Sequence, residues 1–139
     1  MYEALGITSE AARTRWNIAL VTLAAGNTGE AIRRLAAAKL ECETLGMLGD
    51  AALVGLDLCE AYAMVEDLAQ VRRLASEVLD RVKSAGMVPA ALTALSYLRE
   101  AAAGRTLTPR DVQYVKRFVR RLEAEPTLTF VAPESVRRD

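Results

Sequence analysis

Three glycines recur at a fixed interval in this chain of 139 residues: Gly6, Gly46 and Gly86 are 40 residues apart. Each one follows a helix-forming run and precedes a large apolar residue. A left-handed glycine followed by an apolar residue that folds back onto the last turn is a common way to end a helix. A period of this length is typical of stacked helical hairpins, whose repeats bury one another's apolar faces. The spacing therefore predicts an all-α fold of antiparallel helical hairpins stacked as a short superhelix.

Composition and proline placement indicate helices of two kinds. Aromatic residues make up only 5% of the chain and all four prolines lie after residue 88, which favours closely packed helices over a β-sandwich. Capping and stop residues predict six helices, over residues 9–25, 28–45, 50–65, from 67 onward, 89–103 and 108–125. The odd helices are rich in alanine and the even ones are amphipathic, so we expect the odd ones inside. The third, whose interior carries only Asp57 and Glu60 as charges, is predicted at the centre.

The domain boundaries follow from the same signals. Residues 1–125 are predicted to form one helical repeat domain, with residues 1–7 as a truncated first repeat. In this interpretation Met1–Leu5 is the last turn of a helix that Gly6 ends; the alternative is a short native extension that caps the first full helix. Residues 126–139, which begin at a proline and lose the helical pattern, are predicted to be an extended or disordered tail.

Residue content argues against several functional classes. The chain has 18 basic and 18 acidic residues, so no net charge draws it to nucleic acid or membrane, although residues 41–80 carry two basic and nine acidic groups. It has no histidine, and Cys42 and Cys59 lack metal-ligand spacing. We therefore expect no catalytic residue, metal or cofactor. Two cysteines at this spacing do not suggest a disulfide scaffold, and together with the lack of a membrane-spanning run and of a signal sequence they predict a cytoplasmic location.

A family resemblance rests on paired large and small residues midway along the odd helices. These pairs are Ile18-Ala19, Leu58-Cys59 and Tyr97-Leu98, with Tyr62, Gly26 and Ala31 at the following family positions. Over residues 1–125 the chain resembles the tetratricopeptide-repeat family in its bacterial form, with repeats of about forty residues. Thr22, Glu66 and Val71 depart from the pattern. The resemblance implies a right-handed superhelix that serves as a non-catalytic scaffold for proteins or peptides, as a module of a larger bacterial regulatory protein.

The resemblance also implies a concave groove lined by the odd helices. Carried over position by position, its residues are Arg13, Trp16 and Asn17 on the first helix, Leu56, Asp57 and Glu60 on the third, and Leu95, Ser96 and Arg99 on the fifth. The groove would hold a peptide or a helix. Because two acids lie at its middle, a basic or amphipathic partner segment is expected.

Several of these residues have a second interpretation. Trp16 is either a binding anchor or a packing residue against a neighbouring helix. Asp57 and Glu60 could in principle serve acid–base chemistry, but without a partnering base or nucleophile they indicate groove polarity or inter-helix hydrogen bonds. A run of basic residues either gives the last helix a solvated outer face or binds nucleic acid: Arg105, Arg110, Lys116, Arg117, Arg120 and Arg121.

The second functional hypothesis is structural self-association. The truncated first repeat would leave an open amino-terminal edge, and a second copy could complete it to form a homodimer. The acidic middle and the basic ends of the chain also permit head-to-tail association guided by charge.

Overall fold

The computed structural model describes residues 2–84 and 89–133, and within these ranges the chain forms helices and no strand. The prediction of an all-α fold built from stacked helices is confirmed. The helices in these ranges are α1 (Tyr2–Ala24), α2 (Thr28–Thr44), α3 (Leu48–Met64), α4 (Leu68–Ser84), α5 (Pro89–Ala103) and α6 (Pro109–Ala124). Helices adjacent in the chain pack against one another as antiparallel hairpins.

The same turn closes four of the helices. A residue with positive φ ends α1, α2, α3 and α5, at Gly26, Gly46, Glu66 and Arg105 respectively. Its amide donates to the carbonyl three residues back, and the next amide donates five residues back, as in Asn27 to Thr22 and Met47 to Cys42. These paired bonds satisfy carbonyls that the helix end leaves open. The first three turns are 20 residues apart, so one helix and one turn form the unit of this chain.

Gly6 does not end a helix, contrary to the prediction. It lies inside α1, which begins at Tyr2 rather than near residue 9, while Gly46 has a φ of +74°. The paired-bond turn needs a carbonyl five residues before its second amide, in a helix long enough to fold back on. α1 continues through Gly6 to Ala24, so the backbone there keeps regular helical bonding in place of the paired-bond turn. Gly86 lies outside the described residues.

α3 occupies the centre of the array, as predicted. It packs against α1, α2, α4 and α6. Ten of its residues are buried, and they include both of its internal charges. At Gly55 the neighbouring helix comes so near that an added Cβ would stand 2.8 Å from Val78 Cγ2. The two charged residues inside α3, Asp57 and Glu60, face neighbouring helices rather than solvent.

α6 folds back over the array instead of extending it. It packs on α3 as well as on its neighbour α5. Its start is fixed by a reciprocal capping box, in which the Thr108 side chain accepts from the Asp111 amide and the Asp111 carboxylate accepts from the Thr108 amide. One face of α6 is buried, with Val112, Val115, Phe118 and Leu122. The last helix therefore covers the side of α3 that carries the two acids.

Residues 126–133 lie against the last two helices. The Phe130 ring packs with Tyr97, Tyr114 and Phe118, at centroid distances of 5.5, 6.0 and 5.1 Å. The Tyr114 hydroxyl donates a 2.7 Å hydrogen bond to the Val131 carbonyl. Aromatic packing thus holds this part of the chain on α5 and α6. No helix in the described ranges combines the length and the apolar character that crossing a bilayer requires.

Candidate protein-interaction site

The nine residues predicted to line a groove fall into three groups. Arg13 and Asn17 are exposed on α1, and Ser96 and Arg99 are half-buried on α5. The other five are buried: Trp16, Leu56, Asp57, Glu60 and Leu95. α6 lies over this part of α3, so the described surface has no open groove at the two acids. Binding of a partner by these residues stays a prediction.

Three of the predicted residues meet in one buried network with a residue from α6. The Trp16 indole N–H donates a 2.6 Å hydrogen bond to Asp57 Oδ2. The Lys116 ammonium donates to Asp57 Oδ1 and, at 3.1 Å, to Glu60 Oε1. Asp57 is 0% exposed and Glu60 9%. Trp16, Asp57, Glu60 and Lys116, the buried network, therefore join α1, α3 and α6.

Lys116 supplies the charge that makes the two buried acids tolerable. Burial lowers the pKa of its ammonium, but attraction and hydrogen bonding from Asp57 and Glu60 outweigh burial and leave the pKa raised. A buried carboxylate is costly unless it is paired and hydrogen-bonded, and here both acids share one cation. The acids that led to the expectation of a basic partner are thus bound to a basic side chain of the same polypeptide.

Sequence reasoning placed Lys116 on the solvated basic face, and its position in α6 shows otherwise. Its spacing of four from Val112 and three from Val119 puts it at the border of the apolar stripe, although Arg120 also lies four residues away. The other members of the basic run, Arg105, Arg110, Arg117, Arg120 and Arg121, are exposed. A lysine at the border of an apolar stripe is the local signal in the sequence that could have predicted a buried acidic partner for Lys116.

Two more predicted residues line a cavity. Leu56 and Leu95 border a space of about 610 Å³ between α3, α4, α5 and α6. Other large apolar residues complete its walls: Leu53, Val78, Val82, Val119 and Leu122. The lining is mostly apolar, and its polar side chains come from the end of α4 and from Glu123.

The outer face of α1 is an exposed apolar stripe, and we name it the α1 edge. Its members share one face at helical spacing: Ile7, Ala11, Thr14, Ile18 and Val21. Ile7 and Val21 are each 69% exposed and Ile18 is 45% exposed. The opposite face of α1 carries Ala12, Trp16, Ala19 and Leu23 and packs into the core. α1 is therefore apolar on two sides, and the described residues cover only one.

The repeat gives this edge a counterpart inside the molecule. A shift of 40 residues carries four members of the α1 edge onto α3 at Ala51, Val54, Leu58 and Ala61. These four residues are 0 to 3% exposed, since α3 packs against α1, α2, α4 and α6. The α1 edge is thus equivalent in the repeat to a buried face of α3, but it lacks the helices that cover that face.

The two arginines beside the α1 edge are paired within the chain, and the exposed Glu10 lies at the rim of the edge. Arg15 forms an ion pair of 2.8 Å with Glu41 on α2. Arg13 contacts Asp50 on α3 at 3.3 Å. The edge itself consists of apolar groups and one threonine whose hydroxyl donates to the Glu10 carbonyl at 2.9 Å. Its chemistry favours an apolar contact over an ionic one.

The described residues contain no constellation typical of catalysis by a metal. No group of three or more His, Cys, Asp or Glu side chains among them could hold a metal ion. Both cysteines are free and buried, and burial raises the pKa of the Cys59 thiol to about 12. In comparisons with known proteins, no family model, no curated protein and no solved structure matches the chain.

Proposed function

We propose that this chain is a non-catalytic scaffold of the tetratricopeptide type that binds a helix of a protein along the α1 edge. One observation carries the proposal: the equivalent face of α3 is buried by neighbouring helices, whereas on α1 the apolar residues Ile18 and Val21 face solvent. An exposed apolar stripe of this kind is typical of a protein-interaction surface. Nothing in the proposal requires chemistry beyond packing.

The chemistry of the partner follows from the helices that already pack in this array. The buried positions of α2 are small and large apolar residues at spacings of three and four: Ala31, Leu35, Ala38 and Cys42. A partner helix with the same alternation would fit the α1 edge as α2 fits its own neighbours. Burying an isoleucine or valine contributes about 1.5–3 kcal/mol, so three such residues support a modest affinity after the cost of association.

A defined probe tests the proposal. A labelled synthetic peptide with residues 27–46 of this chain, which span α2, is titrated with the full chain under reducing conditions while fluorescence polarisation is recorded. We expect saturable binding that Ile18→Glu weakens by about tenfold or more, since a carboxylate would enter an apolar contact.

The matched control replaces another exposed apolar residue with the same charge. Leu40 on α2 is 65% exposed and lies outside the α1 edge, so Leu40→Glu should leave the affinity of the peptide unchanged. Absence of saturable binding, or equal losses in the two variants, would refute binding at the α1 edge.

A further inference from the structure

The spacing of the α1 edge is nearly symmetric about its central residue. Ile7 and Val21 lie seven residues on either side of Thr14, while Ala11 and Ile18 lie three before it and four after it. When two such helices run antiparallel, Ile7 of one copy lies opposite Val21 of the other. The small Ala11 of one copy then lies beside the large Ile18 of the other. Small residues opposite large ones are what close helix packing uses. The edge is therefore self-complementary under a twofold rotation.

We propose that the α1 edge is occupied by the α1 edge of a second copy of this chain, antiparallel, with Thr14 at the twofold axis. The inference rests on the proposed function and names its partner. Isologous contacts of this kind are the commonest form of homo-oligomer, because the same patch serves both subunits.

The charges favour this arrangement over head-to-tail association. The outer face of α6 carries Arg117, Arg120 and Arg121, all of which are exposed. Covering an apolar stripe with that face would bury Arg117 and Arg120 against apolar groups, which is costly. Two α1 edges bring mainly apolar groups together, since Arg15 beside each edge is bound to Glu41 of its own chain and the exposed Glu10 lies at the rim of the contact.

A cysteine placed at the axis tests the geometry. In the antiparallel pair the two Thr14 positions face each other, so we expect Thr14→Cys chains to form a disulfide-linked dimer under mild oxidation. Ile7→Cys chains should not link to themselves, because two Ile7 positions are separated by 14 residues of helix, roughly 21 Å. A mixture of Ile7→Cys and Val21→Cys chains should link. The native thiols, Cys42 and Cys59, are 0% exposed and do not compete.

Sedimentation equilibrium of the unmodified chain gives the second readout. We expect a concentration-dependent dimer that Ile18→Glu converts to monomer and Leu40→Glu does not, with circular dichroism confirming that both variants remain helical. The α2 peptide should dissociate the dimer, because both compete for one face.

The outcomes separate the two proposals. Self-linking of Ile7→Cys, or a monomer at every concentration, overturns the antiparallel dimer. If that monomer still binds the α2 peptide in an Ile18-dependent way, the proposed function stands and only the identity of the partner is wrong. If neither dimer nor peptide binding is observed, both proposals fail.

Discussion

Replacing Lys116 by methionine should destabilise the fold through the two acids that it leaves behind. The side chain of Lys116 is 17% exposed, and the side chains of its partners Asp57 and Glu60 are 0% and 12% exposed. Removing one partner of a buried ion pair costs about 3–5 kcal/mol, because the remaining charge is neither solvated nor paired. Asp57 would retain only the hydrogen bond from the Trp16 indole. A loss of about 4 kcal/mol is a large part of the usual stability of a domain.

The measurement is the free energy of unfolding in urea, followed by circular dichroism. At a slope of about 2 kcal/mol per molar urea, the midpoint of Lys116→Met should fall by roughly 2 M. The neighbouring Arg117→Met serves as control, since Arg117 is exposed and should change stability by about 0.5 kcal/mol or less.

A compensated variant separates loss of charge pairing from loss of packing. Adding Asp57→Asn and Glu60→Gln to Lys116→Met removes every charge of the buried network, and most of the lost stability should return. If the single variant costs less than about 1 kcal/mol, or the triple variant is no better than the single one, the pairing of Lys116 with the two acids is not what stabilises this contact.

The pH dependence gives an independent check with a defined sign. The pKa of Lys116 is raised above its ordinary value of 10.5, so its contribution to stability is complete below that pH and is lost as pH rises through the folded value. Burial lowers the pKa of Lys39, but Glu43 and Glu77 outweigh burial and leave that pKa raised as well. Deprotonation of Lys39 therefore adds to the loss of stability at alkaline pH. We therefore compare chains: the wild type should lose more stability above pH 10.5 than the triple variant, which retains Lys39.

Three further changes probe the backbone and the core. Urea unfolding should show Gly6→Ala stabilised by up to about 1 kcal/mol and Gly46→Ala destabilised by about 1–2 kcal/mol, because only Gly46 is left-handed. The opposite result at Gly6 would indicate a helix end there. Gly55→Ala should destabilise by about 1–3 kcal/mol through its contact with Val78, and an unchanged midpoint would contradict that close approach. Cys59, with a thiol pKa of about 12, should resist thiol reagents until the chain unfolds; rapid labelling of the native protein would exclude its burial.

The sequence predicts this fold well wherever local chemistry alone decides. α5 begins at Pro89 and α6 is capped by Thr108 with Asp111, at the predicted starts near residues 89 and 108, because both signals act within one turn. Glycine at the end of a helix is more ambiguous. Gly6 and Gly46 share their neighbours, Leu before and a large apolar residue after, yet Gly6 lies inside α1 whereas Gly46 has a positive φ and ends α2.

The placement of the predicted groove could not be obtained in the same way. Lys116 and Asp57 are separated by 59 residues, and no local pattern states that α6 returns to α3. The sequence identified Trp16, Asp57 and Glu60 as a related set and missed the fourth member, which neutralises the acids. Glu66 shows the same limit, since it adopts with φ of 60° the turn conformation for which glycine was expected.

Joining the first, third and last helices changes how the molecule can come apart. In a linear array each unit touches only its neighbours, so the terminal units can unfold alone. Here Lys116 on α6 reaches Asp57, which holds Trp16 on α1, so fraying at either terminus must break a contact with the middle. Amide hydrogen exchange should then report one cooperative opening across α1, α3 and α6 rather than a gradient of protection from the ends inward.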